Sequence, residues 1–209
     1  DPIKHILQFL SNMKNCNGAA PFLVNFDSIG SYFTTSQNPQ GYKYRIFVDG
    51  ACNMTSNLGA CGGFIWSSSG DWLGGFSYNI GHCTALEAEL WGLLHGLKIA
   101  KLLNCDDVWI GCDSKEAILC LESLHTNSGF PFLLKCISEA VDFLGCLYPE
   151  FLSKDLNVCA DGLAKFGFTL HYGKLLFFGT PMIVFFSFKV NRSRLLMEHV
   201  TVSMLHLSV

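Results

Sequence analysis

The residues of this 209-residue chain best placed to do chemistry together are carboxylates. Two apolar runs each end on an aspartate, YRIFVD at Asp49 and VWIGCD at Asp113. An acid at the carboxyl end of a strand in an α/β sheet stands where such sheets bind ligands. One such aspartate alone reads better as a turn or helix-capping residue; two in the same position on two strands shift the balance toward convergence on one site. Glu89 joins them when the segment after Thr84 is drawn as a helix. It lies at the margin of the stripe formed by Leu86, Leu90, Leu93, Leu94 and Leu97, on the side of Gly92 and Gly96. Glycines cost a helix stability, and close approach of another backbone or a ligand is one reason to keep them. Glu87, by contrast, has its own task in a Thr84-x-x-Glu87 capping box. Asp161 is the fourth acid, in the first turns of a closing helix, where it also suits the helix dipole. Three or four carboxylates without His or Cys partners select hard ions, Mg²⁺ or Mn²⁺. Two such ions ~3.5 to 4 Å apart activate a water and stabilise the leaving oxygen of an in-line phosphoryl displacement.

The elements that must position these acids follow from periodicity and turn chemistry. YRIFVD, CGGFIWSS and WLGGFSYNI read as three strands with short connections, an antiparallel meander. The helix from Thr84 comes next, then the strand DDVWIGCD and two helices, SKEAILCLESL and FPFLLKCISEAVDFL. GCLYPEFL is a weak strand whose Pro149 argues for a sheet edge. NVCADGLAKFG closes as a helix with Asn157 as N-cap and Gly167 as stop. The order β-β-β-α-β-α-α-β-α predicts an α/β fold with a mixed five-stranded sheet, three antiparallel strands followed by parallel ones, flanked by helices.

Composition bounds the rest. The net charge is −3, with 14 basic against 17 acidic residues, so nucleic-acid binding would need a local basic patch or metal ions. Ten cysteines at irregular spacing, with no C-x-x-C pair, fit reduced and mostly buried thiols in an intracellular, reducing setting better than a disulfide framework or a zinc site. Residues 1–41 end in the linker-like run TTSQNPQG, which places a domain over 42–168. An apolar tail occupies 169–209. Within it, Leu175 to Phe188 is a 14-residue run broken by Gly-Thr-Pro, short of the ~20 residues a membrane helix needs, so no membrane contact is expected. Two β-like pieces around a Gly179–Pro181 turn fit it better.

Four segments together carry a family resemblance: FVDGACNMTSNLGACGGFIWSSSGDWLGGFS, GHCTALEAELWGLLHGLKIA, VWIGCDSKEAI and SKDLNVCADGLAKFG. Over residues 42–168 the chain resembles the ribonuclease H type 1 superfamily. More narrowly, it is similar to the reverse-transcriptase-like, retroelement-derived ribonuclease H domains abundant in plants. The resemblance implies a ribonuclease H-like fold and hydrolysis of the RNA strand of RNA/DNA hybrids with two Mg²⁺ or Mn²⁺ ions. It places the family's D-G-[SA], A-E-L, D-S and A-D-x-L-A acids on Asp49, Glu89, Asp113 and Asp161. Gly50, Ala51, Cys52, Thr84, Ser114 and Asn157 become candidates for contact with the hybrid, whose 2′-hydroxyls distinguish RNA from DNA. One departure stands out. Where the family reads H-x-x-R-E-x-N-x-x-A-D, this chain has Phe151, Lys154, Asp155, Asn157 and Asp161, so the His is missing. That His is thought to help product release or proton movement, so its loss implies slower turnover. An alternative reading is a retroelement-derived remnant that keeps the fold and binds nucleic acid or a protein without cutting. A DNA-strand nuclease or integrase-like enzyme is a third.

Overall fold

The computed structural model describes residues 41–124, 130–170 and 173–177. The linker reading of residues 1–40 and the second β-like piece of the tail lie outside the described residues. Strands β1 (Tyr44–Asn53), β2 (Leu58–Ser67) and β3 (Trp72–His82) form the expected antiparallel meander. Helix α1 (Ala85–Leu102) leads to β4 (Asp107–Cys112), followed by α2 (Lys115–Glu122) and α3 (Pro131–Val141). Strand β5 (Cys146–Phe151), a short 3₁₀ turn at Lys154–Leu156, α4 (Val158–Gly167) and β6 (Gly173–Phe177) complete the order. The sheet runs β5-β4-β1-β2-β3-β6, with β4 parallel to β1 and β5 parallel to β4. Pro149 sits on the β5 edge, where a missing ladder donor costs least.

Two features differ from the sequence reading. Among the described residues the sheet has six strands, because Gly173–Phe177 pairs antiparallel with Gly75–Asn79 of β3 along that edge. Strand β1 also runs past Asp49 to Asn53. Its pairing with β4 stops at Phe47, but β2 continues alongside it to the Asn53–Leu58 pair. Asp49 therefore stands beyond the parallel ladder while still held by the antiparallel one. The intervening turn is short. The side-chain oxygen of Asn53 accepts from the Thr55 and Ser56 N–H groups, and Asn57 takes a left-handed φ of 53°.

Alternation along β1 divides the core. Ile46 and Val48 pack with Leu90, Leu93, Leu94, Leu97 and Ile110 on the α1 face. Phe47, Phe64, Trp66 and Trp109 pack with Leu163 and Phe166 of α4 on the other. The Phe47 and Phe64 rings stack at 4.8 Å, a pairing worth about 0.5–1.5 kcal/mol beyond burial. Helix α1 begins where its capping box predicts. Thr84 accepts from the Glu87 N–H, and Glu87 accepts from the Thr84 N–H. Its glycine side lies against β1. A Cβ on Gly92 would come within 3.0 Å of the Asp49 carbonyl oxygen, and one on Gly96 within 2.8 Å of Val48.

Candidate active site

The site grows out of two close approaches around Asp49. A Cβ at Gly50 would stand 2.2 Å from the Glu89 backbone nitrogen, so only glycine lets α1 touch the strand here. On the opposite face, a Cβ at Gly62 would stand 2.3 Å from the Ala164 nitrogen, and this lets α4 seat as tightly on β2. Sheet and helices thus meet at backbone distance, and side chains from β1, α1, the end of β4 and α4 reach one corner.

Three of the expected acids meet at that corner. Asp49 is 4% exposed. Asn157, only 1% exposed, donates from Nδ2 to the Val48 carbonyl at 2.9 Å and reaches Asp113 at 3.4 Å and Asp49 at 3.5 Å. Glu89 Oε2 accepts from the Gly50 N–H at 3.0 Å and from the Cys112 thiol at 3.4 Å. One ligand atom each from Glu89, Cys112 and Asp113 lies within 4.8 Å of the others. Asp161, on the first turn of α4, is half-exposed and ion-paired to Lys165 at 2.7 Å. Its charge still acts on Asp49.

Crowding these acids sets their protonation. Burial, followed by the Glu89 charge and a hydrogen bond to Asp113, drives the Asp49 carboxyl up to about 10. Burial and the Asp113 charge raise Glu89 to about 7, against the Cys112 and Gly50 hydrogen bonds and the Lys154 charge, which lower it. Burial also pushes the Cys112 thiol well above its ordinary value, so it stands as a neutral donor to Glu89. Negative charge at the corner outweighs the Lys154 charge that reaches Glu89, and the Asn157 Oδ1 atom is buried without a hydrogen-bond partner. Carboxylate oxygens crowded in this way, with one further oxygen unsatisfied, fit a divalent cation, whose charge would return both acids to their ionised forms.

The remaining expected residues are arranged differently. Asn157 occupies the N-cap position of α4 but makes no side-chain cap. Its amide is spent on Val48, Asp49 and Asp113, which corrects its expected place at a nucleic-acid surface: it is buried and positions the acids. The Gly50 N–H is likewise committed, to Glu89. Ala51 and Cys52 are half-buried on β1, and Thr84 is exposed at the start of α1. Ser114 caps α2 by accepting from the Ala117 N–H. Phe151 ends β5 at 42% exposure, with the Lys115 ammonium 4.9 Å over its ring. Sequence reasoning missed Cys112. Its signal was the alternation Val108, Ile110, Cys112, which points it toward α1 and Glu89.

A family profile described as reverse transcriptase-like matches residues 47–167. A protein of Arabidopsis thaliana named "Putative ribonuclease H protein" is 34% identical over 140 residues, covering 62% of this chain and 21% of that protein. The chain thus spans about a fifth of that relative's length. Among solved structures, the N-terminal RNase H domain of Rv2228c from Mycobacterium tuberculosis aligns with a TM-score of 0.57 at 22% identity, over 61% of this chain and 94% of that one. RNase H1 of Halobacterium salinarum aligns with a TM-score of 0.53 at 22% identity, over 60% and 96%. LC11-RNase H1, isolated from compost and solved with an RNA/DNA hybrid, aligns with a TM-score of 0.54 at 19% identity, over 59% and 94%. These likenesses establish the ribonuclease H fold.

Proposed function

We propose, from the premise that this chain belongs to the reverse transcriptase-like family of ribonuclease H-type domains, that it hydrolyses the RNA strand of RNA/DNA hybrids with divalent metal ions. The observation that carries this reading is the corner itself. Asp49, Glu89 and Asp113, spread over 64 positions of sequence, meet at one corner, the first and last on the buried Asn157 amide and Glu89 on the Gly50 N–H, with more negative charge than the corner's cations offset. A hybrid substrate is supported by the solved neighbour that holds one.

In this reading Asp49, Glu89, Asp113 and Asp161 are the metal ligands. Two Mg²⁺ or Mn²⁺ ions held there would supply an activated water and charge at the leaving oxygen. The chain's own residues do the rest. Asn157 ties Asp49 and Asp113 to the β1 backbone, so their carboxylates need little reordering to bind. The Gly50 N–H fixes the Glu89 carboxylate in the same way. Lys154 contributes positive charge near Glu89. Ala51, Cys52, Thr84 and Ser114 are the proposed contacts to the hybrid, bordering the corner on β1, α1 and α2. The intracellular, reducing compartment we assign follows from the cysteine content alone.

The test is cleavage of a labelled RNA/DNA hybrid with Mg²⁺ or Mn²⁺, beside RNA and DNA duplex controls. Wild type should cut the RNA strand of the hybrid, and Asp49→Asn should abolish cutting, because a neutral amide is a poor ligand for a hard dication. One observation favours the non-cutting alternative: Phe151 stands where the family carries His. A folded protein that binds the hybrid but leaves it intact would establish that alternative.

A further inference from the structure

The corner holds one atom that a site for hard ions does not need. Cys112 is the last residue of β4, fully buried, and its sulfur lies 3.4 Å from Glu89 Oε2. Asp113 follows directly, and the Asn157 amide, 99% buried, reaches its carboxylate at 3.4 Å with an Oδ1 that has no partner. Tetrahedral coordination with metal–sulfur bonds of about 2.3 Å and metal–oxygen bonds of about 2.0 Å separates ligand atoms by roughly 3.5 Å. The sulfur and the Glu89 oxygen are already spaced that way, and the whole trio closes within 4.8 Å. Mg²⁺ has little use for a thiolate, whereas Zn²⁺ and Cd²⁺ favour one.

We propose that Glu89, Cys112 and Asp113 form a binding site for a thiophilic divalent ion, Zn²⁺ in kind, with Cys112 as the sulfur ligand. Ligation releases the thiol proton to solvent, since a dication deprotonates a coordinating thiol outright. The Glu89 oxygen that accepted that proton's hydrogen bond becomes the neighbouring ligand. Because the same two carboxylates serve the proposed nuclease site, zinc and magnesium exclude each other there, and zinc acts as an inhibitor. The inference rests on the metal-site reading above and adds sulfur to it.

Cadmium is the spectroscopic probe, through the sulfur-to-metal charge-transfer band in the ultraviolet. Titrating the full chain with Cd²⁺, with and without Cys112→Ser, yields a difference band belonging to Cys112, while the remaining thiols cancel. We expect that band to titrate as one site. In Asp113→Asn, which keeps the thiol and relieves crowding, its affinity should fall more than about tenfold, since even outer-shell partners are worth about 10- to 100-fold. Zn²⁺ should raise the melting temperature of wild type more than that of Cys112→Ala. A Cd²⁺ spectrum unchanged by Cys112→Ser, or a band insensitive to Asp113→Asn, overturns the proposal. Should Cys112→Ser fail to fold by circular dichroism, Cys112→Ala supplies the reference spectrum from which the same difference band is taken. Mg²⁺-dependent hybrid cleavage without the difference band sinks the zinc site and leaves the nuclease reading standing. The band without cleavage does the reverse.

Discussion

Glu89→Gln should make the metal-free protein more stable while destroying its response to Mg²⁺. Burial and the Asp113 charge move the Glu89 carboxyl from 4.5 to about 7. At about 1.4 kcal/mol per pH unit, this corresponds to about 3 kcal/mol of folding free energy. The sign follows from proton binding. Below about 4.5 both folded and unfolded chains hold the proton and there is no penalty. Between 4.5 and about 7 the folded state retains a proton the unfolded state has lost, so stability falls as pH rises, and above about 7 the full loss is reached. A glutamine carries no such penalty. It still accepts from the Gly50 N–H, though as a neutral acceptor it forfeits about 1 kcal/mol of charge-assisted bonding. The net gain at pH 8 is about 2 kcal/mol, several degrees in Tm for a domain of this size. Urea or thermal unfolding in EDTA at pH 5 and pH 8 measures it. Wild type should lose stability between the two and Glu89→Gln should lose less, while Mg²⁺ stabilises only wild type. Equal pH dependence in both proteins, or a Glu89→Gln variant less stable at pH 8, would refute the account of the corner as a crowded anion site.

Gly50→Ala should cost about 3 kcal/mol or more and abolish stabilisation by Mg²⁺, because the new methyl meets the α1 backbone at Glu89 and Ala88; chemical denaturation with and without metal checks both. Phe151→His should raise turnover on the hybrid, since one acid–base group is typically worth about 10² to 10⁴ in rate, and unchanged steady-state kinetics would show that the position does not limit the reaction. Ending the chain at residue 170 should leave a folded domain that self-associates. It removes β6 and exposes the β3 edge at Gly75–Asn79, so sedimentation should show oligomers where the longer chain shows fewer.

The strands and helices around the site were legible because their signals are local. Thr84 and Glu87 announce the start of α1 within four residues, and Pro149 announces an edge by what it cannot donate. The expectation of four acids rested on the resemblance and on their places at strand ends and helix starts, and the structure brings Asp49, Glu89 and Asp113 to one corner. Asn157 does stand at the N-cap position its identity suggests, but its side-chain partners were not legible, because Val48, which accepts from its amide, is 109 positions away. Cys112 was passed over for a related reason. Its meaning depends on Glu89, 23 positions earlier, reaching it across the α1–sheet interface. The first β-like piece of the tail was legible as β structure, but its place as the sixth strand beside β3 was not, because a short apolar segment carries no sign of which edge it will join.

The order in which the corner's parts occur along the chain bears on how the protein is made. Strand β1 supplies Asp49 first and α1 supplies Glu89 next. Asp113 waits for β4, which must travel past α1 to lie beside β1, and Asn157 and Asp161 come from the closing helix. A growing polypeptide emerges from the ribosome at about 5–20 residues per second, its N-terminal part first. A nascent chain therefore cannot assemble a competent centre until nearly the whole domain has emerged. Chains not yet extended to the closing helix lack Asn157 and Asp161, so the hydrolytic function we propose, and any damage it could do to RNA near the site of synthesis, would be withheld until the domain closes.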